Sequence, residues 1–596
     1  MNDFDTEWLL TNRFGGYASS TYSAMNTRTY HSLLTSASLT GGNRVQLLNS
    51  LEELVEPKDG AYYISTHRYP DAVFPEGYTT IQSCGAGPQS VWFEHKLGDF
   101  LMLRKVTFSR SSEEVRIEYS SSAEFTLRVR PLLTFRNHHC VVIGSPRYAI
   151  REHGGDILVS MEGVLPSLVM TGVRFNKNPL YYYNHTYIEE QRRGLNSVEN
   201  LFSPGEFVFK GKSAVLVATV HPKVTSGEQA GTWHPVLRFV CNKGVIVAGY
   251  HWFWDWCRDS MVILPTLVRE LKDPAFALQV IFRYLSGLRE GFAPTGFDEI
   301  TSHPFYTSVD SSLWIAYAFK RILPFLGNQE VVGRISSLLV DVYEGYVKGG
   351  PFGVKVDRGL VCHQKEGATW MDACFEGRCF TPRSGSPVEV NALWLDLLDL
   401  LSQFGPADRR QFFRDQASES TERFLETFSS PFGFYDVVGQ DARGSNEIRP
   451  NMVIALAVLG KKVPNEIALR VLSVARRHLL TPYGLRTLSP SDPSYTRRYG
   501  GDRLSRDSAY HNGMVWPWLT GFLFDAGEIH DPTSLAHLAR VLAPLFEFAT
   551  RNYWNVPEMF EPEYPYSPRG AISQAWSVSE VLRVMNRLKE LGLGVR

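Results

Sequence analysis

Residues 250–260 read YHWFWDWCRDS. Aromatic rings, two carboxylates, an arginine and a histidine share these positions. Flat apolar surface sits beside groups that are costly to bury unpaired. Two readings follow: a buried cluster whose polar tips are paired, or a pocket for a flat-faced, hydroxyl-rich ligand such as a sugar.

The stretch also marks a change of pattern. Before about residue 240, short alternating runs recur: RVQLL, FLMLRKVTF, VRIEY, FTLRVRPLL, CVVIG, DILVSME, SLVMTGVRF and FVFKGKSAVLVATV, separated by turn residues. Such runs predict an antiparallel β-sandwich. After residue 258 the apolar period moves to 3.6. Helices are expected over 259–271, 274–290, 309–324, 329–347, 387–403, 408–428, 450–459, 464–478, 512–528, 533–551 and 573–591. Asp273-Pro274 and Asp531-Pro532 read as helix starts. Antiparallel pairs around an axis give a double ring with six inner helices, and a twelfth helix is missing from the pattern. The fold class is therefore an N-terminal antiparallel β-sandwich over 1–240, followed by an (α/α)6 barrel over 241–596. No fixed-period repeat supports a solenoid.

The 596 residues carry 61 basic and 62 acidic side chains, a net charge of −1. That balance excludes binding through nucleic-acid phosphates, which needs a basic excess, and suits a neutral ligand. Aromatic residues make up 13% of the chain, which leans toward glycan contact, although large cores are also rich in rings. The acidic opening MNDFDTEW has no apolar segment of a signal peptide. No run approaches the ~20 apolar residues of a membrane span. Seven cysteines, an odd number, predict reduced thiols and a cytoplasmic protein. Cys362, His363, Cys374 and Cys379 match no zinc spacing, so neither a metal nor a cofactor is expected. There is no Walker loop, no dinucleotide-binding glycine motif, no H-E-x-x-H and no G-x-S-x-G elbow with partners.

The chemistry-bearing residues cluster in loops and first helical turns: FYTSVDSSLW, ATWMDA, TPRSGSPVEVNALW, TPYGLRTLSP, RDSAYHNGMVWPW and NVPEMFEPEYP. Long loops in a compact domain are usually functional, and these suggest a funnel at one end of the ring. Breaking a glycosidic bond takes two carboxyl groups. Asp310 lies in a first helical turn with Trp314 at i+4; it reads as an acid held against an indole, or as a helix cap. Glu558 sits in a proline-stiffened aromatic loop, with Glu561 and Glu563 nearby as rivals. Asp255, Arg258 and Asp259 could grip hydroxyls or form a structural ion pair. Asp372 is a further candidate, and Glu389 reads equally as a structural residue at a helix start.

The ordered series AGYHWFWDWCRDS, FYTSVDSSLWI, TWMDA, TPRSGSPVEVNALW, RPN (449–451), TPYGLRTLSP, YHNGMVWPW and QAWSVSEVLR resembles the amylo-α-1,6-glucosidase domain of glycogen debranching enzymes. NRFGGYASSTYSAMNTRTYHSLL resembles the opening motif of the archaeal and bacterial members, which place a β-sandwich before the catalytic domain. The resemblance implies a glucoamylase-related barrel and inverting release of glucose from α-1,6 stubs of glycogen or limit dextrin. It gives Asp310 the general-acid role and Glu558 the general-base role, about 6.5–9.5 Å apart. It has Asp255, Arg258 and Asp259 hold the terminal glucose and Trp370, Asp372, His511 and Trp516 line the site; Trp254 and Trp314 are further substrate-binding candidates. The alternatives are an α-glucosidase or phosphorolytic relative acting on short oligosaccharides, and a glycan-binding protein without catalysis.

Overall fold

The computed structural model describes residues 6–38, 42–225, 233–242, 244–439, 441 and 443–594. The acidic opening residues 1–5 lie outside them. The chain divides into two units: Met1–Asn242 with Glu299–Ser302, and Lys243–Asp298 with His303–Arg596.

In the first unit, alternating side chains build an antiparallel sheet of fourteen strands among the described residues. Its spine is two strands of 24 residues, Glu114–Asn137 and Val198–His221. A straight strand of that length would span about 80 Å, too long for a domain of this size. Both therefore bend, at register shifts between Ser120 and Phe125 and between Val129 and Leu133. The first arm of Glu114–Asn137 pairs with Phe100–Phe108, with Val106 opposite Ile117. The second arm pairs with Val45–Glu56, with Leu127 opposite Val55. Side chains from both arms meet in one core that contains all four of these residues. VRIEY and FTLRVRPLL, expected as two strands, are the two arms of this one. CVVIG is not a strand: the Val142 N–H donates to the Glu199 carboxylate (2.9 Å) and Ile143 stays 80% exposed. A short helix, α1 (Ile188–Arg192), interrupts the sheet.

The second unit is helical: α2 (Cys257–Leu271), α3 (Pro274–Leu285), α4 (Ser311–Ile322), α5 (Gln329–Lys348), α6 (Val388–Phe404), α7 (Arg410–Phe428), α8 (Asn451–Leu459), α9 (Asn465–His478), α10 (Arg503–Tyr510), α11 (Leu519–His530), α12 (Leu535–Arg551) and α13 (Ala575–Glu590). Helix α2 packs on α4, α4 on α6, α6 on α8, α8 on α11, α11 on α13, and α13 returns to α2, closing an inner ring of six. Helices α3, α5, α7, α9 and α12 lie outside it.

Burial follows the sequence pattern. Inner helix α6 buries nearly every side chain. Outer helix α7 buries only Phe413, Ala417, Ser420, Phe424 and Phe428, a single helical stripe. Asp273 caps α3 as its sequence predicts, accepting from the N–H groups of Ala275 and Phe276. Asp531 does not cap; its carboxylate pairs instead with Arg476 at 2.6 Å.

The expected helix over 512–528 starts only at Leu519, because Pro517 bars Trp516 from helical geometry; Val515 and Trp516 form a strand instead. The short α10 lies in a loop and supplies no twelfth ring helix. The expectation that every thiol is reduced also fails. Hairpin register sets Cys374 opposite Cys379, and the two are joined by a disulfide.

Links from inner to outer helices are short: 272–273, 323–328, 405–409, 460–464 and 531–534. Links from outer to inner helices are long: 286–310, 349–387, 429–450, 479–518 and 552–574. Inner helices joined this way share one direction, so their N-termini and the long loops gather at the same end.

Candidate active site

The N-termini of the inner helices exchange side-chain hydrogen bonds. At the start of α2, Arg258 donates to both oxygens of Asp310, Nε at 3.0 Å and Nη2 at 2.8 Å. Asp310 is the N-cap residue of α4, yet its side chain caps nothing; it accepts from the Trp314 indole one turn on, at 3.1 Å. Three N–H donors therefore occupy its two oxygens. Trp314 is fully buried against Tyr317, Trp518 and Phe522, and it backs Asp310.

The neighbouring carboxylates differ. Asp255 does not pair with Arg258. It accepts from Arg283 Nε (2.7 Å) and from the Tyr284 hydroxyl, both on α3, and acts as a brace between α3 and the loop before α2. Asp259 accepts from Gln574, just ahead of α13, at 2.7 Å. Burial pushes its carboxyl up to about 7, against the opposing pull of Arg258.

Asp372 lies in the loop before the disulfide hairpin and keeps part of its surface accessible. Desolvation lifts its carboxyl to about 6; Arg258 opposes the rise, and Asp310 and Asp507 add to it. Trp370, two residues earlier, is buried, and its indole donates to Asn451 at the start of α8 (2.6 Å). The Asn451 amide in turn donates to Asp436 (2.7 Å). Glu389, at the start of α6, is held with Asp436 by the Arg383 guanidinium (2.5 and 2.8 Å). This buried knot anchors the loop that carries Trp370 and Asp372, and Glu389 is structural.

Aromatic rings fill the opposite wall. Trp370 meets His511, Trp516 and Trp518 edge-on at 5.2–5.6 Å. His511 stacks on Trp516 at 5.5 Å, and Trp518 on Trp576 at 4.5 Å. Both His511 ring nitrogens are buried without a hydrogen-bond partner, as are the indole N–H groups of Trp518 and Trp576. Burial first, and then the Arg449, Arg258 and Arg383 cations, hold the His511 imidazole neutral. Trp254 is buried ahead of α2.

Glu558 is buried in the loop before α13. One oxygen accepts from the Tyr510 hydroxyl at the end of α10, the other from the Ala571 N–H (2.9 Å). Gly570, at φ +73°, leaves room for this carboxylate: a Cβ there would lie 2.1 Å from Glu558 Oε2. Glu561 pairs with Arg569 at 3.1 Å and Glu563 with Arg497 at 3.5 Å, which leaves Glu558 as the carboxylate of this loop held by site residues.

Sequence reasoning did not single out Tyr510, Gln574, Asn451, Trp518 or Trp576. All lie inside or beside the motifs quoted above. Their roles depend on contacts between helix ends far apart in the chain, which spacing does not reveal.

Comparison with known proteins bears on this arrangement. Residues 234–583 match the family model described as amylo-alpha-1,6-glucosidase, and residues 6–215 match glycogen debranching enzyme N terminal. The glycogen debranching enzyme of Saccharomyces cerevisiae is 28% identical over 204 residues, 26% of this chain and 13% of that enzyme; the chain thus matches only a small part of that relative. A bacterial glucoamylase complexed with acarbose superimposes with a TM-score of 0.60 at 10% identity, covering 100% of this chain and 93% of its own, which shows the fold. A GH63 mannosylglycerate hydrolase from Thermus thermophilus has a TM-score of 0.45 at 14% identity, over 59% of this chain and 97% of its own. Among the described residues no helix is long and apolar enough to cross a membrane. The chain belongs to the amylo-α-1,6-glucosidase family of glycoside hydrolases.

Proposed function

We propose that this chain releases glucose from α-1,6 branch stubs of glycogen or limit dextrin by inverting hydrolysis, with Asp372 as the general acid and Glu558 as the general base. The observation that carries the reading is the pairing of a lifted carboxyl, Asp372 near 6, with a carboxylate, Glu558, held from both sides by Tyr510 and the Ala571 N–H. An acid and a base need different environments: Asp372 is desolvated, whereas Glu558 accepts hydrogen bonds.

The acid role moves from Asp310 to Asp372 for a physical reason. A proton donor must free an O–H toward the leaving oxygen. The oxygens of Asp310 take two guanidinium N–H groups and an indole N–H, so it is placed to orient Arg258. Asp372 has no such clamp and keeps an accessible edge. Asp259 is lifted too, but it is buried under Gln574 and is better placed as a sugar-hydroxyl acceptor.

In the reaction, the terminal glucose lies against the Trp370, His511 and Trp516 wall, its hydroxyls meeting Asp259 and the unpartnered imidazole of His511. Asp372 gives its proton to the departing O6 as positive charge develops at the anomeric carbon. Glu558 takes a proton from a water on the opposite face, and the water oxygen bonds to that carbon.

The α-1,6 preference is supported by family membership, and inversion by the resemblance described above. Incubation with phosphorylase limit dextrin beside maltose and isomaltose tests the first: free glucose should come fastest from the dextrin. NMR tests the second, with β-glucose expected as the first product. Faster attack on maltose, or α-glucose released first, would overturn the proposal. Glucose 1-phosphate formed only when phosphate is present would indicate a phosphorolytic relative.

A further inference from the structure

The first unit holds a cluster that the glycosidase reading does not use. We propose that His138, His139 and Glu299 bind one divalent transition-metal ion, zinc by preference.

Three potential ligand groups converge. His138 Nε2 lies 3.1 Å from His139 Nε2 and 3.1 Å from Glu299 Oε1. His139 Nε2 lies 3.4 Å from Glu299 Oε2. Ligand atoms about 2.0–2.1 Å from a tetrahedral zinc are separated by about 3.3 Å; the two imidazole nitrogens meet that spacing, and each has a different Glu299 oxygen at a similar distance, so one ion can reach all three groups. Two imidazoles and a carboxylate are also a donor set that zinc accepts, with the fourth position left to water.

The surroundings orient the rings. The Tyr17 hydroxyl bonds His138 Nδ1 and the Tyr30 hydroxyl bonds His139 Nδ1, both at 3.0 Å. A partner on Nδ1 fixes the ring and turns Nε2 inward, as the outer contacts of metal-bound histidines do. The backbone is fixed as well: His138 N–H donates to the Arg44 carbonyl (3.0 Å) and His139 N–H to the Asn137 side chain (2.8 Å). His138 is fully buried, whereas the His139 side chain is 37% exposed and offers a way in.

Arg44 sets the strength. Its backbone N–H and Nε reach Glu299 Oε1 at 3.1 and 2.9 Å, and Nη2 reaches Oε2 at 2.8 Å. The guanidinium already neutralises the carboxylate, so the ion should be held more weakly than in a cysteine-rich structural site. Glu299 stands 160 positions from His139, which is why no local spacing in the sequence announces the cluster.

The test uses the full-length protein, stripped with EDTA and dialysed. Zinc chloride titration by calorimetry should show a saturable site that His139→Ala weakens at least tenfold. Tyr30→Phe, which removes only an outer contact, should weaken it by about 10–100-fold or less. Cobalt(II) loading should give the intense visible bands of a tetrahedral ion in the wild type and not in His139→Ala. If wild-type protein takes up no zinc, or binds it as His139→Ala does, the proposal is wrong. The readout is binding, so the result is independent of glucosidase activity.

Discussion

Asp310 and Asp372 are two aspartates of one helical ring, each placed just before or between inner helices, and each within the electrostatic reach of Arg258. Their surroundings separate them. Asp310 is fully buried at the mouth of α4, and guanidinium and indole donors hold its oxygens. Asp372 rides on a loop stiffened from below by Trp370 and Asn451 and has a carboxyl raised to about 6 by desolvation. On the proposed assignment, a carboxylate against an aromatic ring is not thereby the acid. What its oxygens already accept decides whether it can give up a proton.

The largest effect should come from the residues proposed to move protons. Asp372→Asn and Glu558→Gln should each lower kcat on limit dextrin by roughly 10²–10⁴-fold, with unchanged circular dichroism. Glu561→Gln, whose native partner is Arg569, should keep nearly full activity. If Glu561→Gln is inactive while Glu558→Gln is active, the base has been misassigned.

Asp310→Asn tests the clamped aspartate. It leaves the buried Arg258 charge without its counter-ion, a loss of about 3–5 kcal/mol, readable as a drop in denaturation midpoint. Equal stability of the variant and the wild type would contradict the structural role given to Asp310.

A smaller effect sharpens the Glu558 side. Tyr510→Phe removes a donor to that carboxylate, worth about 1.5–3 kcal/mol for a hydrogen bond to a charged group. It should lower kcat by ten- to a hundredfold and leave KM nearly unchanged. A larger rise in KM than fall in kcat would make Tyr510 a substrate contact.

The smallest is a shift in pH dependence. A general acid works only while protonated. On the basic side, kcat/KM should therefore fall as pH rises through about 6, the value to which desolvation lifts Asp372. The negative charge of Asp310 contributes to that rise. Asp310→Asn removes it and frees Arg258 to pull the other way, so the limb should move to lower pH. A limb that stays in place would show that another group sets it.

The change of period near residue 240 made both architectures legible, because strands and amphipathic helices impose different spacings on the same apolar residues. The gathering of the quoted motifs in the loops at one end of the ring was legible too. Each long loop before an inner helix carries aromatic rings and polar residues, and each short link at the other end carries none of the quoted motifs. The i+4 spacing correctly placed Trp314 beside Asp310. Partner choice was not legible. Arg258 could have joined Asp255 or Asp259, and it joins Asp310, 52 positions away. Asp255 is taken by Arg283 and Tyr284 of α3. With Asp310 clamped, the weight falls on Asp372, whose candidacy in the sequence was only secondary. The same limit hid Gln574, which reaches Asp259 across 315 positions. Helix ends meet because the ring closes, and closure is a property of the whole chain.

The most direct measurement compares a poor and a good leaving group in two variants. An α-glucosyl fluoride needs little acid assistance, whereas an α-1,6-glucan stub needs it fully. The account predicts that Asp372→Asn loses the glucan and retains most turnover of the fluoride, while Asp310→Asn loses both in proportion. Retained fluoride hydrolysis in Asp310→Asn, with both substrates lost in Asp372→Asn, would return the proton donor to Asp310 and contradict the account.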